Sequence, residues 1–287
     1  MTKSPAEPER RSGEERRGEE RRKQSIPVEV EGLTPSAVRT LSLAEIQRLE
    51  IFHGNRKVPL AEFFEVSGDP GDARLEFEGN LAGVHWIGAH MTEGEIHVRG
   101  AAGRHVGSEM TGGTIHVYGN ASDWVGGEMH GGLIHIHGNA GHLVGSAYRG
   151  SATGMTAGTI LVDGSVGNEV GLTLRRGVLA VGGACGDFVG ANMIAGTVLV
   201  FGACGNRPAA GMRRGTVGLL GGNPPNLLVS FRKSCVCQPT FLRLIFRRLQ
   251  SLGFTVPSDC WNANYGVYHG DHVTVGRGEI LIREPDV

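Results

Sequence analysis

Three histidines, His97, His116 and His135, recur nineteen residues apart, and each stands between two β-branched residues. Imidazoles stacked at such a spacing suggest a transition-metal site. Ligands in one flat row do not converge on a point, however, and no carboxylate shares the register. Adjacent imidazolium charges would also repel. The row therefore reads as a polar outer face or a subunit contact, with no metal assigned; His105 and His137 fall in the same stretch at other registers. Arg175-Arg176 and Arg213-Arg214 are basic pairs at one register, two repeats apart. Such an edge either accepts a carboxylate-rich ligand or partner or is simply solvated. Cys185 and Cys204 share a register, Cys235 and Cys237 form a C-x-C, and Cys260 is distant. Zinc asks for converging ligands at familiar spacing, so the cysteines read as small buried residues. No nucleophile–base–acid triad, paired carboxylates or phosphate-cradling loop stands out, so no catalytic residue is assigned.

The elements that must carry these rows are short and repeated. Glycines at 94, 113, 132, 158, 177, 196 and 215 open copies of one pattern, G-x-[IVL]-x-[VIL]-x-G-x-x-[GS]-x-x-V-G-x-x-M, at intervals of 19, 19, 26, 19, 19 and 19 residues. A unit of this size cannot bury its own apolar face and has to stack on copies of itself. Ile96/Val98, Ile115/Val117, Ile134/Ile136, Ile160/Val162, Leu179/Val181 and Val198/Val200 alternate as strands with one face inside. Val106, Val125, Val144, Val170 and Val189 supply a second inward row. A third contains six of the seven methionines, as adaptable gap filling. Short sides with glycine corners predict an all-β fold, a right-handed parallel β-helix of about seven to eight coils. The long interval places an insertion within 146–154, where Tyr148 and Arg149 are a pair enriched in interfaces.

Outside the repeats the chain changes character. Residues 1–25 hold eight Lys/Arg and six Asp/Glu with little apolar content, a composition that predicts a disordered charged tail. Residues 26–72 read as an N-terminal cap, with a capping box at Ser42 and Glu45. The repeats occupy 73–221. Residues 222–287 form an extension in which Pro224-Pro225 breaks the repeat, an amphipathic helix follows Pro239, and a last strand contains Ile280 and Ile282. A net charge of -1 and the lack of a long apolar stretch or signal-peptide core argue against nucleic acid and membrane. The five cysteines suggest a reducing, cytoplasmic setting.

The repeat, the Leu43-Ala44-Glu45-Ile46 and His53-Gly54-Asn55-Arg56 motifs, and Gly270-Asp271 with Gly276-Arg277-Gly278-Glu279-Ile280 resemble one family across residues 33–287. This is the C subunit of formylmethanofuran dehydrogenase, and most nearly its bacterial counterpart in the formyltransferase/hydrolase complex. The resemblance implies a scaffold assembled with the A, B and D subunits, without catalytic residues or a cofactor of its own. It also implies tetrahydromethanopterin-linked one-carbon metabolism and formaldehyde oxidation. The complex would move formyl groups on a methanofuran-type carrier. A tungsten or molybdenum pterin would belong to another subunit, and only in the dehydrogenase form. A glutamate tail on the carrier would suit the edge formed by Arg175, Arg176, Arg213 and Arg214. The chain departs from the family at its charged tail and at Tyr148-Arg149-Gly150-Ser151, where paired arginines are expected. Alternatives are a stand-alone structural solenoid, a module like the glutamate synthase C-terminal domain, and a left-handed β-helix acyltransferase. The last needs a period of eighteen rather than nineteen.

Overall fold

The computed structural model describes residues 26–222 and 225–285; the charged segment 1–25 and Pro224 lie outside the described residues. The first elements are β1 (Val28–Glu29), α1 (Pro35–Val38), α2 (Leu43–Gln47), β2 (Glu50–His53), β3 (Arg56–Pro59), β4 (Arg74–Phe77) and β5 (Val84–His85). The repeats then supply β6 (Glu95–Val98), β7 (Thr114–Val117), β8 (Leu133–Ile136), β9 (Thr159–Val162), β10 (Val178–Val181), β11 (Thr197–Val200) and β12 (Arg214–Leu219). The chain closes with β13 (Arg232–Cys237), α3 (Thr240–Ser251), β14 (Tyr265–Gly270) and β15 (Arg277–Arg283).

Eleven strands form one sheet in the order β13-β14-β15-β12-β11-β10-β9-β8-β7-β6-β4, parallel from β4 through β15 and antiparallel at the β13–β14–β15 end. Partners such as Ile96↔Ile115↔Ile134 follow the nineteen-residue period. Each repeat also meets the next away from the strands. Ala102 bridges Ala121, Cys185 bridges Val166 and Cys204, and the amides of Gly107, Gly126 and Gly145 donate to the carbonyls of Ile87, Val106 and Val125. The longer interval does not disturb the register: Leu133↔Thr159 and Ile136↔Val162 stay paired while residues 146–154 leave the pattern.

Inside, the three expected rows are fully enclosed. Ile96, Ile115, Ile134 and Ile160, Val106, Val125 and Val144, and Met91, Met110, Met129, Met155, Met193 and Met212 all have zero exposure. Burying each such side chain contributes about 1.5–3 kcal/mol. Two side-chain ladders pin the corners. Asn120 Oδ1 accepts from the Asn139 amide at 2.8 Å, and Asn139 Oδ1 accepts from the Ser165 amide at 2.7 Å. Asp123, His142, Asn168 and Asp187 do the same for His142, Asn168, Asp187 and Asn206.

The corners differ from the expectation that glycine alone turns them. His105, Trp124, Leu143, Glu169, Phe188 and Arg207 all have φ between 53° and 63°. This left-handed backbone is uncommon for such residues. The amides of the first five donate to the following repeat, as His105 does to the Asp123 carbonyl at 3.0 Å and Trp124 to the His142 carbonyl at 2.9 Å, which holds the conformation in place.

A second difference concerns the other face of the sheet, whose histidine row is expected to be a polar outer face or a subunit contact. Leu161, Ala180, Leu199 and Leu281 continue the His97–His116–His135 row and are buried. With Phe201 and Leu220 they pack against Leu242, Phe246 and Leu249 of α3 and against Phe254 and Val256. Helix α3 therefore lies over this face, and the row passes from polar to apolar beneath it. Among the described residues no helix is long and apolar enough to cross a membrane.

Candidate functional sites

The histidine row sits at the edge of the helix-covered face. His97 and His116 stack with centroids 5.4 Å apart, and His116 and His135 are 5.7 Å apart. His135 is only 1% exposed, which corrects its assignment to an open outer row. Side chains two residues apart on a strand share a face, so a second row runs beside the first: Arg99, Tyr118, His137 and Asp163. Tyr118 stacks on His137 at 4.9 Å and 6°, and the Arg99 guanidinium lies 4.5 Å from the Tyr118 ring.

The two rows do converge, contrary to the expectation from one row alone. His135 Nε2 is 2.9 Å from Asp163 Oδ1, His137 Nδ1 is 3.1 Å from Asp163 Oδ2, and His116 Nδ1 is 3.3 Å from His137 Nε2. His97 instead contacts the Tyr118 hydroxyl at 3.1 Å and Glu95 at 3.4 Å. Burial pushes His116 down to about 4, helped by repulsion from His135, His137 and His97. Burial also lowers His135, outweighing the Asp163 carboxylate that acts in the opposite direction. These two imidazoles are thus neutral near pH 7. Neither His137 nor Asp163 is assigned a role by the sequence reading. Following the outward positions at a period of two, across one more strand, is the signal that finds them.

The arginines come together as well. Arg175, Arg176, Arg213 and Arg214 line a shallow cleft of about 350 Å³, with Ile194, Ala195 and Val275 between and beside them. All four arginines are exposed. Among the described residues none has a carboxylate within 4.0 Å. The cleft spans three repeats, or about 10 Å at the spacing of paired strands. Val275 comes from the loop after β14, which Asp271 ties to the last repeat by accepting from the Gly211 amide at 3.0 Å.

Tyr148 and Arg149 separate. Arg149 is exposed, whereas Tyr148 is half-buried against its own chain, with its ring centroid 6.5 Å from Trp86, 5.7 Å from His105 and 6.3 Å from Trp124. Among the described residues its buried hydroxyl has no hydrogen-bond partner of good geometry, and burial pushes the phenol up to about 12. Cys185 and Cys204 are neighbours whose thiols burial holds protonated, Cys204 at about 12. Cys235 and Cys237 stand exposed on the edge strand β13. The described cysteines thus offer no converging thiolate set for a soft metal centre.

A parallel stack of glycine-cornered repeats, closed by an amphipathic helix and bearing a basic cleft, defines the class: the chain belongs to the GXGXG motif family, whose pattern matches residues 80–225. Within that class its relatives include C subunits of formylmethanofuran dehydrogenases. It is 39% identical over 85 residues to the C subunit of the tungsten-containing formylmethanofuran dehydrogenase 2 of Methanothermobacter wolfeii, covering 28% of this chain and 32% of that protein. It is 39% identical over 85 residues to the C subunit of the molybdenum-containing formylmethanofuran dehydrogenase 1 of Methanosarcina barkeri, covering 28% of each. The match thus spans about a third or less of the length of these curated relatives. A longer likeness is to a chain of the X-ray crystal structure of the formyltransferase/hydrolase complex (FhcABCD) from Methylorubrum extorquens in complex with methylofuran. Identity is 32%, the TM-score is 0.82, and 91% of this chain and 96% of that chain are covered.

Proposed function

We propose that this chain is the scaffolding C subunit of a formyltransferase/hydrolase complex of the formylmethanofuran dehydrogenase type, acting in tetrahydromethanopterin-linked one-carbon metabolism. The observation that carries this reading is the likeness, over 91% of the chain, to a chain of the FhcABCD complex. In this reading the repeats form a right-handed parallel β-helix bounded by the segments 26–72 and 222–287, the A, B and D subunits are its partners, and the setting is cytoplasmic. The chain itself supplies no catalytic residue. A tungsten or molybdenum pterin, if the complex has one, resides in another subunit.

The basic cleft is the part of the surface best suited to the methanofuran-type carrier. Four guanidinium groups without a carboxylate partner among the described residues, over about 10 Å, match a run of carboxylates, and the apolar floor of Ile194 and Ala195 offers no competing acceptor side chain. Guanidinium groups bind carboxylates with paired, charge-assisted hydrogen bonds. The test is purification of the native complex, with copurifying subunits identified and formyl transfer assayed. Reversing the cleft charge, with Arg175→Glu and Arg214→Glu together, is expected to weaken carrier turnover at low salt at least tenfold while the complex stays assembled. Failure to copurify with a formyltransferase would overturn the complex. Unchanged turnover at low salt would overturn the cleft alone.

A further inference from the structure

We propose that His116, His135 and His137 form a binding site for a divalent late first-row transition-metal ion such as Zn2+, with Asp163 orienting two of the three imidazoles. One ring nitrogen from each histidine lies within 4.8 Å of the other two. Two nitrogens bound at 2.0–2.1 Å to a tetrahedral ion stand about 3.3–3.4 Å apart, and His116 Nδ1 and His137 Nε2 are 3.3 Å apart. Imidazole nitrogen is a preferred donor for zinc, copper and nickel.

The surroundings supply what a metal-binding histidine needs beyond its own ring. Asp163 accepts from His135 Nε2 and His137 Nδ1 with its two oxygens. This arrangement fixes both tautomers and leaves His135 Nδ1 and His137 Nε2 as the nitrogens carrying lone pairs. A carboxylate holding the far side of a ligating imidazole is the usual supporting contact at protein metal centres. The rings are held from the sides too: Tyr118 stacks on His137, and His135 and His137 are 4.0 Å apart between centroids. Three imidazoles leave a fourth position for water or a partner's group. His116 and His135 come from the adjacent strands β7 and β8, His137 from directly after β8 and Asp163 from directly after β9, so an ion would clip two successive repeats together and Asp163 would join the third to them.

A metal-free network offers a rival account, with His116 donating from Nδ1 to His137. Titration distinguishes the two. The full chain, untagged and stripped with a chelator, is titrated with Zn2+ against a chromophoric chelator. Expected results are one bound equivalent, a thermal midpoint that rises with free Zn2+, and the visible d–d bands of a tetrahedral site when Co2+ is substituted. His137→Ala is expected to lower affinity at least about a hundredfold, and Asp163→Asn about 10–100-fold, the usual cost of losing such a supporting carboxylate. His116→Asn is the milder ligand change should His137→Ala fold poorly, and the same loss is expected from it. His97→Gln leaves affinity within about twofold. Retention of the bound equivalent in His116→Asn, its loss in a Cys235→Ser/Cys237→Ser variant, or no saturable binding to the native chain would each overturn the proposal.

Discussion

His105 shows how one residue carries both strain and charge penalty in this architecture. Its ring lies between Trp86, at 4.0 Å and 5°, and Trp124, at 5.5 Å and 10°, and its buried Nδ1 has no hydrogen-bond partner among the described residues. Burial, reinforced by His85 and Arg104, drives its pKa from 6.5 down to about 4. The unfolded chain therefore binds a proton at His105 from about pH 6.5 downward, while the folded chain resists it until about pH 4. Stability from this group is complete above pH 6.5 and is lost as pH falls through that window. His116 shifts in the same direction, so the acid limb has more than one contributor. His105→Gln is expected to be less stable at pH 7, through lost stacking, yet to lose less on going from pH 7 to pH 5. Urea midpoints at both pH values check this, and an equal drop in the two proteins would remove His105 from the acid limb. The sequence shows the register of this residue but not its surroundings. A histidine at φ 63° between two indoles is a product of tertiary stacking, which overrides the local preference for glycine.

At the scale of the element, the rows of identical residue type were legible because parallel in-register pairing places residues nineteen apart directly side by side. Ile96, Ile115 and Ile134 can therefore be assigned inside from the sequence alone. What the period could not reveal was anything contributed from outside the repeat, and hence the fate of the opposite strand face. Whether Leu161, Ala180 and Leu199 meet solvent depends on where α3 lies, a non-local fact. The same limit hid the histidine–aspartate cluster, whose members belong to neighbouring rows on three strands. The corner glycines illustrate a physical need that the repeat does express. A Cβ at Gly138 would stand 2.5 Å from Asn120 Oδ1 and 2.6 Å from the Gly119 carbonyl oxygen. Stacking at the strand spacing leaves no room there, although the φ of Gly138 is not left-handed. Ile136→Val, by contrast, only removes a methylene from an enclosed row and should cost about 0.5–1.5 kcal/mol. Gly138→Val is expected to cost more than about 3 kcal/mol, because both the ladder oxygen and the neighbouring backbone must move. Comparable urea midpoints for the two variants would show that the corners have slack.

For the molecule as a whole, the decisive relation is between a stack in which each repeat touches mainly its neighbours and a helix that touches several repeats at once. In the proposed solenoid, stability is a sum of repeat and nearest-neighbour terms, so damage at one point should stay local. Phe246 tests this because it is the fully buried centre of the helix contact, 5.9 Å from Phe201 and 5.5 Å from Trp261 by ring centroid. Truncating a buried phenylalanine costs about 3–5 kcal/mol. That loss falls on the repeats beneath the helix, whose outer residues Leu161, Ala180 and Leu199 would regain water. Strands β6 and β7 lie beyond the helix and carry His97 and His116 on the same face, so they lose no apolar cover. Hydrogen exchange on Phe246→Ala is therefore expected to show reduced protection in β9 to β12 and near-native protection in β6 and β7, a gradient that follows from local opening. Equal loss of protection in every strand would mean that helix and stack unfold as one cooperative unit, with α3 acting as a clamp on the whole scaffold.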